Sequence, residues 1–406
     1  MSQTATLILT HGQIHTLDRA NPLAEAVAIA DGKIVATGSH DRIMSFAAEG
    51  TQIVDLKGHT VIPGLNDSHL HLIRGGLNYN LELRWEGVPS LADALRMLKD
   101  QADRTPSPQW VRVVRHLVEH RWQFRLHATY DESISRMLDV FEKVNRDIPF
   151  NGLHWFFDHA ETITERNIER VKALGGGIAV QHRMAFQGEY FVDRYGKEAV
   201  KHTPPVAKML ALDVPVGLGT DATRVASYNP WTALYWLVSG RTVGGMAMYD
   251  DANRLPRDVA LELWTAGSAW FSSEQGKKGR LAAGQLADLV VLSKDYFSVA
   301  EEEIKGIESV LTVVDGKVVY AAGHFSPLAP PPIPVLPEWS PVVKVPGHYR
   351  SAPPATAKIG AMVQMHQCCG SCGVHGHQHD IARKSSIPVS DEQAFWGVLG
   401  CSCFAF

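Results

Sequence analysis

The sequence predicts an α/β protein in which parallel strand-helix units are framed by a β module drawn from both ends of the chain. Three observations carry this reading. Short apolar runs alternate with amphipathic stretches through the middle of the chain, and Asp-Gly-Lys turns at Asp31 to Lys33 and Asp315 to Lys317 mark hairpins near its two ends. Histidines recur just past the apolar runs. With 406 residues and 45% hydrophobic content, the chain can bury a sizeable core.

Taken in order, the first sixty residues read as strands. LILTHGQIHTLD, AVAIADGKIVATG and TQIVDLKGHTVIP carry β-branched runs, and Asp31-Gly32 between two of them is a strong hairpin signal. A helix over Ser90 to Asp100 and a helical stretch at RHLVEHRW follow. FRLH (Phe124 to His127) then precedes a helix from about Asp131, an N-cap candidate, with Ile134, Met137, Leu138, Phe141 and Val144 at helical spacing. HWFFDH (His154 to His159) precedes a helix from near Thr164, closed by Gly175 to Gly177. GIAVQH (Gly177 to His182) precedes one opened by Thr203 with Pro204 at its first position, and PVGLGTDA (Pro215 to Ala222) one from about Pro230. LADLVVLSKD and SVLTVVDGKVVYAAG repeat the opening grammar, so one sheet assembled from both ends is the economical arrangement. Trp122, Trp155, Trp231 and Trp236 read as core or as lining of the mouth.

Charge narrows the function classes. A net charge of -4 leaves no basic stripe for nucleic acid. The opening apolar run is interrupted by Thr10, His11 and Gln13, which is too soon for a signal peptide or a membrane span. The expectation is a cytoplasmic protein acting on a small-molecule substrate, with neither nucleic acid nor membrane as partner.

The chemistry gathers at strand ends. In VIPGLNDSHLH (Val61 to His71), His69 and His71 stand one residue apart, and in extended backbone such residues face the same side. His127, His159, His182 and Asp221 each fall at or just past the carboxyl end of a predicted strand, the face on which barrel active sites are built. Several histidines and a carboxylate form the ligand set of a catalytic Zn²⁺ or similar divalent ion. Such an ion supplies hydroxide from water at neutral pH, and Asp221 can shuttle the proton, which makes metal-assisted hydrolysis the implied reaction class. His182, Arg183 and Arg224 lie beside the same mouth and are candidates to hold substrate. A structural strand-end role for His182, and surface or helix-capping roles for the two arginines, are the other readings. His154 and Asp158 suit strand packing and support of the ligands.

Together, VIPGLNDSHLH, the strand-end His127 and His159, Gly219 to Ala222 (GTDA) and GRLAAGQLADLVVL resemble the metal-dependent amidohydrolase superfamily, in particular the branch containing N-substituted formamide deformylase. The resemblance covers roughly Leu7 to Gly323. It implies a (β/α)8 TIM-like barrel with a composite β-sandwich, and hydrolysis of a carbon-nitrogen bond other than a peptide bond. It also implies that His69, His71, His127, His159 and Asp221 are metal ligands, with Asp221 and His159 the catalytic candidates. The sequence shows about five strand-helix units where a closed barrel needs about eight, so the expected barrel is incomplete, lacking strands two to four. No counterpart of a metal-bridging lysine or glutamate is present. The expected organisation is residues 1–60 and 277–325 as the two parts of the sandwich, 61–276 as the partial barrel and 326–406 as a tail. Strands left open at an edge imply a homodimer, a rearranged junction near Val111 to Arg115, or reduced stability.

The tail is proline-rich past Gly323 and then dense in soft ligands. All five cysteines lie there, and Cys369 and Cys372 with His375 and His377 have spacing suited to a second metal site. A Gly/His-rich tail without a dedicated ion is the other reading. A non-catalytic metal-binding or interaction protein, with this tail as its working part, is therefore the alternative to a hydrolase.

Overall fold

A computed structural model describes residues 3–71, 89–104, 109–222 and 226–331. Arg224 and the tail residues Cys369, Cys372, His375 and His377 lie outside the described residues.

The chain opens with β1 (Leu7–Thr10), β2 (Gln13–His15), β3 (Leu23–Ala24), β4 (Ala26–Ala30) and β5 (Lys33–Gly38). A short helix α1 (His40–Met44) leads to β6 (Gln52–Asp55) and β7 (Thr60–Pro63). Two helices follow, α2 (Leu91–Arg104) and α3 (Gln109–Glu119). The central units are β8 (Phe124–Ala128) with α4 (Asp131–Asp147), β9 (Trp155–His159) with α5 (Glu165–Ala173), and β10 (Gly177–Gln181) with α6 (Met184–Tyr195), α7 (Lys197–Val200) and α8 (Val206–Ala211). β11 (Val216–Gly219) and α9 (Pro230–Ser239) complete them. Then come α10 (Arg257–Glu262), a π-helical turn (Leu263–Gly267), α11 (Ser268–Phe271), β12 (Leu289–Leu292), β13 (Ser309–Val314) and β14 (Lys317–Ala321).

The opening strands meet those of residues 289–321. One six-stranded sheet runs β14-β13-β12-β7-β2-β3, and β7 pairs antiparallel with β12 in the register Val61↔Val291, Ile62↔Val290. A second sheet runs β5-β4-β1-β6. Leu9, Val27, Ile29 and Val61 share one apolar cluster with Leu289, Val291, Leu311 and Val313. Each such side chain contributes about 1.5–3 kcal/mol by leaving water. The hairpin turns have φ of 51° and 72° at Asp31 and Gly32, and 51° and 71° at Asp315 and Gly316. Two consecutive positive φ values make the primed turn that matches strand twist. The turns also touch: a Cβ on Gly32 would lie 2.1 Å from Asp315 Oδ1.

The third sheet is parallel, ordered β11-β10-β9-β8. Leu126, Phe157, Ile178 and Leu218 pack with helix residues such as Ile134, Phe141, Ile168 and Trp236 in the main core. The opposite face is set by register, which aligns Arg125 with Phe156, His127 with Asp158, Ala179 with Gly217 and Gln181 with Gly219. Phe271 and Trp270 pack against its lower half, beside Phe156 and Ala179. Past β7 the chain continues alongside β11. Ser68 N donates to the Leu218 carbonyl at 3.2 Å and Asp221 N to the His69 carbonyl at 2.8 Å. Gly219 permits this approach, because a Cβ there would sit 2.6 Å from His69 N. Among the described residues these strands do not close into a barrel.

Three local expectations change. Asp131 is not the cap of α4 but its first residue. Tyr130 stands at the cap, and the Asp131 carboxylate accepts from Thr164 N (2.7 Å) and Asn167 Nδ2 (2.8 Å), at the start of α5. The helix after β10 begins at Met184, some twenty residues before the expected Thr203-Pro204 opening, which instead introduces α8. Trp155 and Trp236 are fully buried and Trp231 nearly so, whereas Trp122 is 56% exposed and belongs to neither core nor mouth.

Candidate metal centre

The site is assembled where β8, β9 and β11 end and the segment after β7 passes them. His69 Nε2 lies 3.2 Å and His71 Nε2 2.9 Å from Asp221 Oδ1. His159 Nδ1 is 3.9 Å from Asp221 Oδ2, and the His127 ring meets the His159 ring edge-on at 4.4 Å between centroids. One ligand atom each from His69, His159 and Asp221 lies within 4.8 Å of the others. The five residues expected at the mouth thus share one neighbourhood. His127 joins it through its contact with His159 and stands at the edge strand.

Backbone geometry aims these groups. By strand alternation His159 belongs on the helix-packed face with Trp155 and Phe157. A φ of 76° at His159 and 48° at Ala160 breaks the alternation and brings the ring beside His127 and His69. Asp221 also has positive φ, 55°. Such values are uncommon outside glycine and concentrate at functional sites.

A carboxylate clamp holds the first segment in place. Asp67 accepts from His69 N (3.0 Å), Thr220 N (3.1 Å) and Thr220 Oγ1 (2.6 Å), locking the His-containing segment to the residue before Asp221. Burial pushes the Asp67 carboxyl up, and these hydrogen bonds oppose the shift. On the other side Asp158, 2% exposed, accepts from Arg125 Nε at 2.8 Å and from Arg125 Nη2, and lies 3.6 Å from His69 Nδ1. Arg125 also donates to the Ser68 carbonyl (3.2 Å) and contacts His69 Nδ1.

That contact bears on the tautomer. When His69 Nδ1 accepts from Arg125, its proton sits on Nε2 and is donated to Asp221. When Nδ1 donates to Asp158, Nε2 turns a lone pair to the cluster, the form that binds a cation.

Charge in the centre is set by burial and neighbours. Burial works to raise the Asp221 carboxyl, but the His69 hydrogen bond and the surrounding imidazoles outweigh it and hold the group below the usual carboxylate range. Burial, with His127 beside it, brings His159 down to about 3, and burial also lowers His127, so both rings are neutral at pH 7. Neutral imidazoles around an ionised carboxylate are a cation-binding donor set. His159 Nδ1 is buried and has no hydrogen-bond partner among the described residues, as expected of a ligand atom. The residues present fit a divalent ion.

The substrate candidates separate. His182 is fully buried against Phe186 and brought down to about 4 by burial, with the Gly219 backbone opposing the shift. Arg183 Nη1 donates to Glu161 Oε2 at 3.2 Å and Nη2 to Gln187 at 3.1 Å, while its Nε and Glu161 Oε1 are unpartnered. His154 stacks on Trp270 at 4.3 Å.

Sequence reasoning gave no role to Arg125, Asp67, Thr220 or Glu161. Arg125 was within reach, since it lies two residues before His127 on one strand and shares its face.

The family model described as "Amidohydrolase family" matches residues 52–116 and 112–320, more than half of the chain, in two segments that meet within α3. The protein LONG AFTER FAR-RED 3 of Arabidopsis thaliana is 37% identical over 107 residues, 26% of this chain and 18% of that protein. N-substituted formamide deformylase of Arthrobacter pascens is 26% identical over 132 residues, 32% of this chain and 24% of that protein. The chain therefore spans a quarter or less of the length of these two curated relatives. The crystal structure of an amidohydrolase from Thermotoga maritima MSB8 superposes with a TM-score of 0.53 at 14% identity, covering 78% of this chain and 100% of that one, a likeness of fold. Among the described residues no helix is long and apolar enough to cross a membrane. With the matched family model covering more than half of the chain, the strand-end cluster included, the chain belongs to the amidohydrolase family.

Proposed function

We propose that this protein is a metal-dependent hydrolase of a carbon-nitrogen bond in a small amide-like substrate, with Zn²⁺ as the ion. The observation that carries the reading is the convergence of His69, His159 and Asp221 within 4.8 Å at the carboxyl end of a parallel sheet. His69, His71, His127, His159 and Asp221 would hold the ion. A divalent cation there supplies an acidified water and an electrophile for a carbonyl oxygen.

The chain's own groups do the rest. Asp221, kept ionised, takes a proton from the attacking water and returns it to the departing nitrogen, with His159 the next group in reach. Asp67 and Thr220 hold the first segment against β11, and Asp158 orients His69. Arg183 Nε and Glu161 Oε1, buried and unpartnered among the described residues, are the donor and acceptor assigned to a polar substrate in this reading. In this reading the four-stranded parallel sheet, with the segment after β7 alongside, is the retained arc of a (β/α)8 barrel. The sheets built from both chain ends are its composite β-sandwich.

N-formyl amines, cyclic amides, carbamates and deaminable heterocycles, each supplied with Zn²⁺, Mn²⁺ or Fe²⁺, form the test panel. Hydrolysis that requires metal and disappears in Asp221→Asn supports the proposal. Metal-loaded protein that turns over no member of the panel counts against it and favours a binding role.

A further inference from the structure

We propose that His116, Glu119 and His120 form a second metal site, at the solvent-facing carboxyl end of α3, that takes a divalent transition ion such as Zn²⁺, Ni²⁺ or Cu²⁺. One ligand atom from each residue lies within 4.8 Å of the other two, and all three residues are exposed. The spacing explains this: at about 100° per residue, positions i, i+3 and i+4 share an arc of roughly 100° on a helix. Val114 and Val118 face the core instead, so α3 is anchored by its apolar side while this face stays open.

The imidazoles are prepared for a cation. His120 Nδ1 lies 2.9 Å from the His116 carbonyl. A carbonyl only accepts, so the proton is on Nδ1 and the neutral ring turns the lone pair of Nε2 outward. Metal-binding histidines are commonly oriented by a hydrogen bond of this kind. The two rings lie 4.2 Å apart, and Trp122 packs edge-on against His116 at 5.8 Å and beside His120 at 5.6 Å. This explains why an exposed tryptophan sits where the helix ends. Two imidazoles and one carboxylate suit borderline ions and leave positions open to water, with Cu²⁺ bound more tightly than Ni²⁺ or Zn²⁺.

The test is calorimetric titration of metal-stripped full-length protein with Zn²⁺ and with Ni²⁺. Wild type is compared with His116→Ala/His120→Ala, with Glu119→Gln, with His69→Ala/His71→Ala and with Cys369→Ser/Cys372→Ser, each checked for native circular dichroism. The expected result is one equivalent fewer in the helix double variant and about tenfold or more weaker binding of that equivalent in Glu119→Gln. Both other variants keep that equivalent. Unchanged stoichiometry and affinity in the helix variants overturn the proposal, as does an equivalent that disappears only with the tail cysteines.

Discussion

Two clusters of histidine and carboxylate lie among the described residues, and they are built in opposite ways. The strand-end cluster draws His69, His159 and Asp221 from three separate stretches, with His159 and Asp221 buried. The α3 cluster takes its groups from the last turn of one helix and the residue that follows it, and leaves them in water. In the first, ligand geometry is a consequence of the fold, so its neighbours carry strain, burial and compensating hydrogen bonds. In the second, geometry follows from helical periodicity alone and little else depends on it. Substitutions at the two clusters should therefore differ in kind.

The largest effect belongs to Asp221. Asp221→Asn keeps the shape and one oxygen but removes the base, so kcat should fall by about 10²- to 10⁴-fold on any substrate the wild type turns over. Metal content, measured by atomic absorption, should change little. An unchanged kcat with full metal would make Asp221 structural and move attention to His159.

Next comes the support beneath the centre. Asp158→Asn should weaken metal binding about 10- to 100-fold, because His69 Nδ1 loses the anion that favours its protonated tautomer. Competition with a chromophoric chelator measures this. Affinity equal to wild type would show that Arg125 alone orients His69. No residue beside the α3 cluster should have comparable leverage.

Smaller again is the backbone contact that seats the first segment. Gly219→Ala forces a methyl against His69 N and Asp67 Oδ1, at 2.6 and 2.7 Å from the ideal position, and backbone cannot swing away as a side chain can. The expected loss is about 1–3 kcal/mol in urea unfolding. Wild-type stability would mean that the segment is free to separate from β11.

These sites also mark how far the sequence could be read. The Asp-Gly turns at Asp31 and Asp315 and the apolar run before Asp221 were legible because each obeys a local rule of turn or strand chemistry. The helix expected from about Pro230 begins there, capped by Asn229, whose side chain accepts from Trp231 N at 3.0 Å. The Asp67–Thr220 clamp was not legible, since its halves are 153 residues apart and neither shows a pattern. His159 was placed at the right strand end, but the positive φ that turns it away from the helix-packed face leaves no trace in residue type. Helix α6 was missed because Arg183 at its cap is already in helical conformation and makes no side-chain capping bond. The α3 cluster escaped notice for a different reason. In RHLVEHRW the i, i+4 histidines fit an ordinary amphipathic helix as well as a ligand pair, and helical spacing alone does not separate the two.

The smallest effect should come from the helix itself. His120 is exposed, and its hydrogen bond to the His116 carbonyl ties one of the last carbonyl groups of α3, which water can satisfy equally well. His120 stands just past the last residue of α3, where helix propensity weighs little. For metal-stripped protein the change in unfolding free energy should therefore stay within about 0.5 kcal/mol, the range of ordinary surface substitutions. Saturating Zn²⁺ should stabilise wild type further than the variant, because an ion bound only by the folded helix adds its binding free energy to folding. If the metal-free variant instead loses about 2 kcal/mol or more, the two histidines are a structural cap of α3, and the contrast between a built centre and an incidental surface cluster fails.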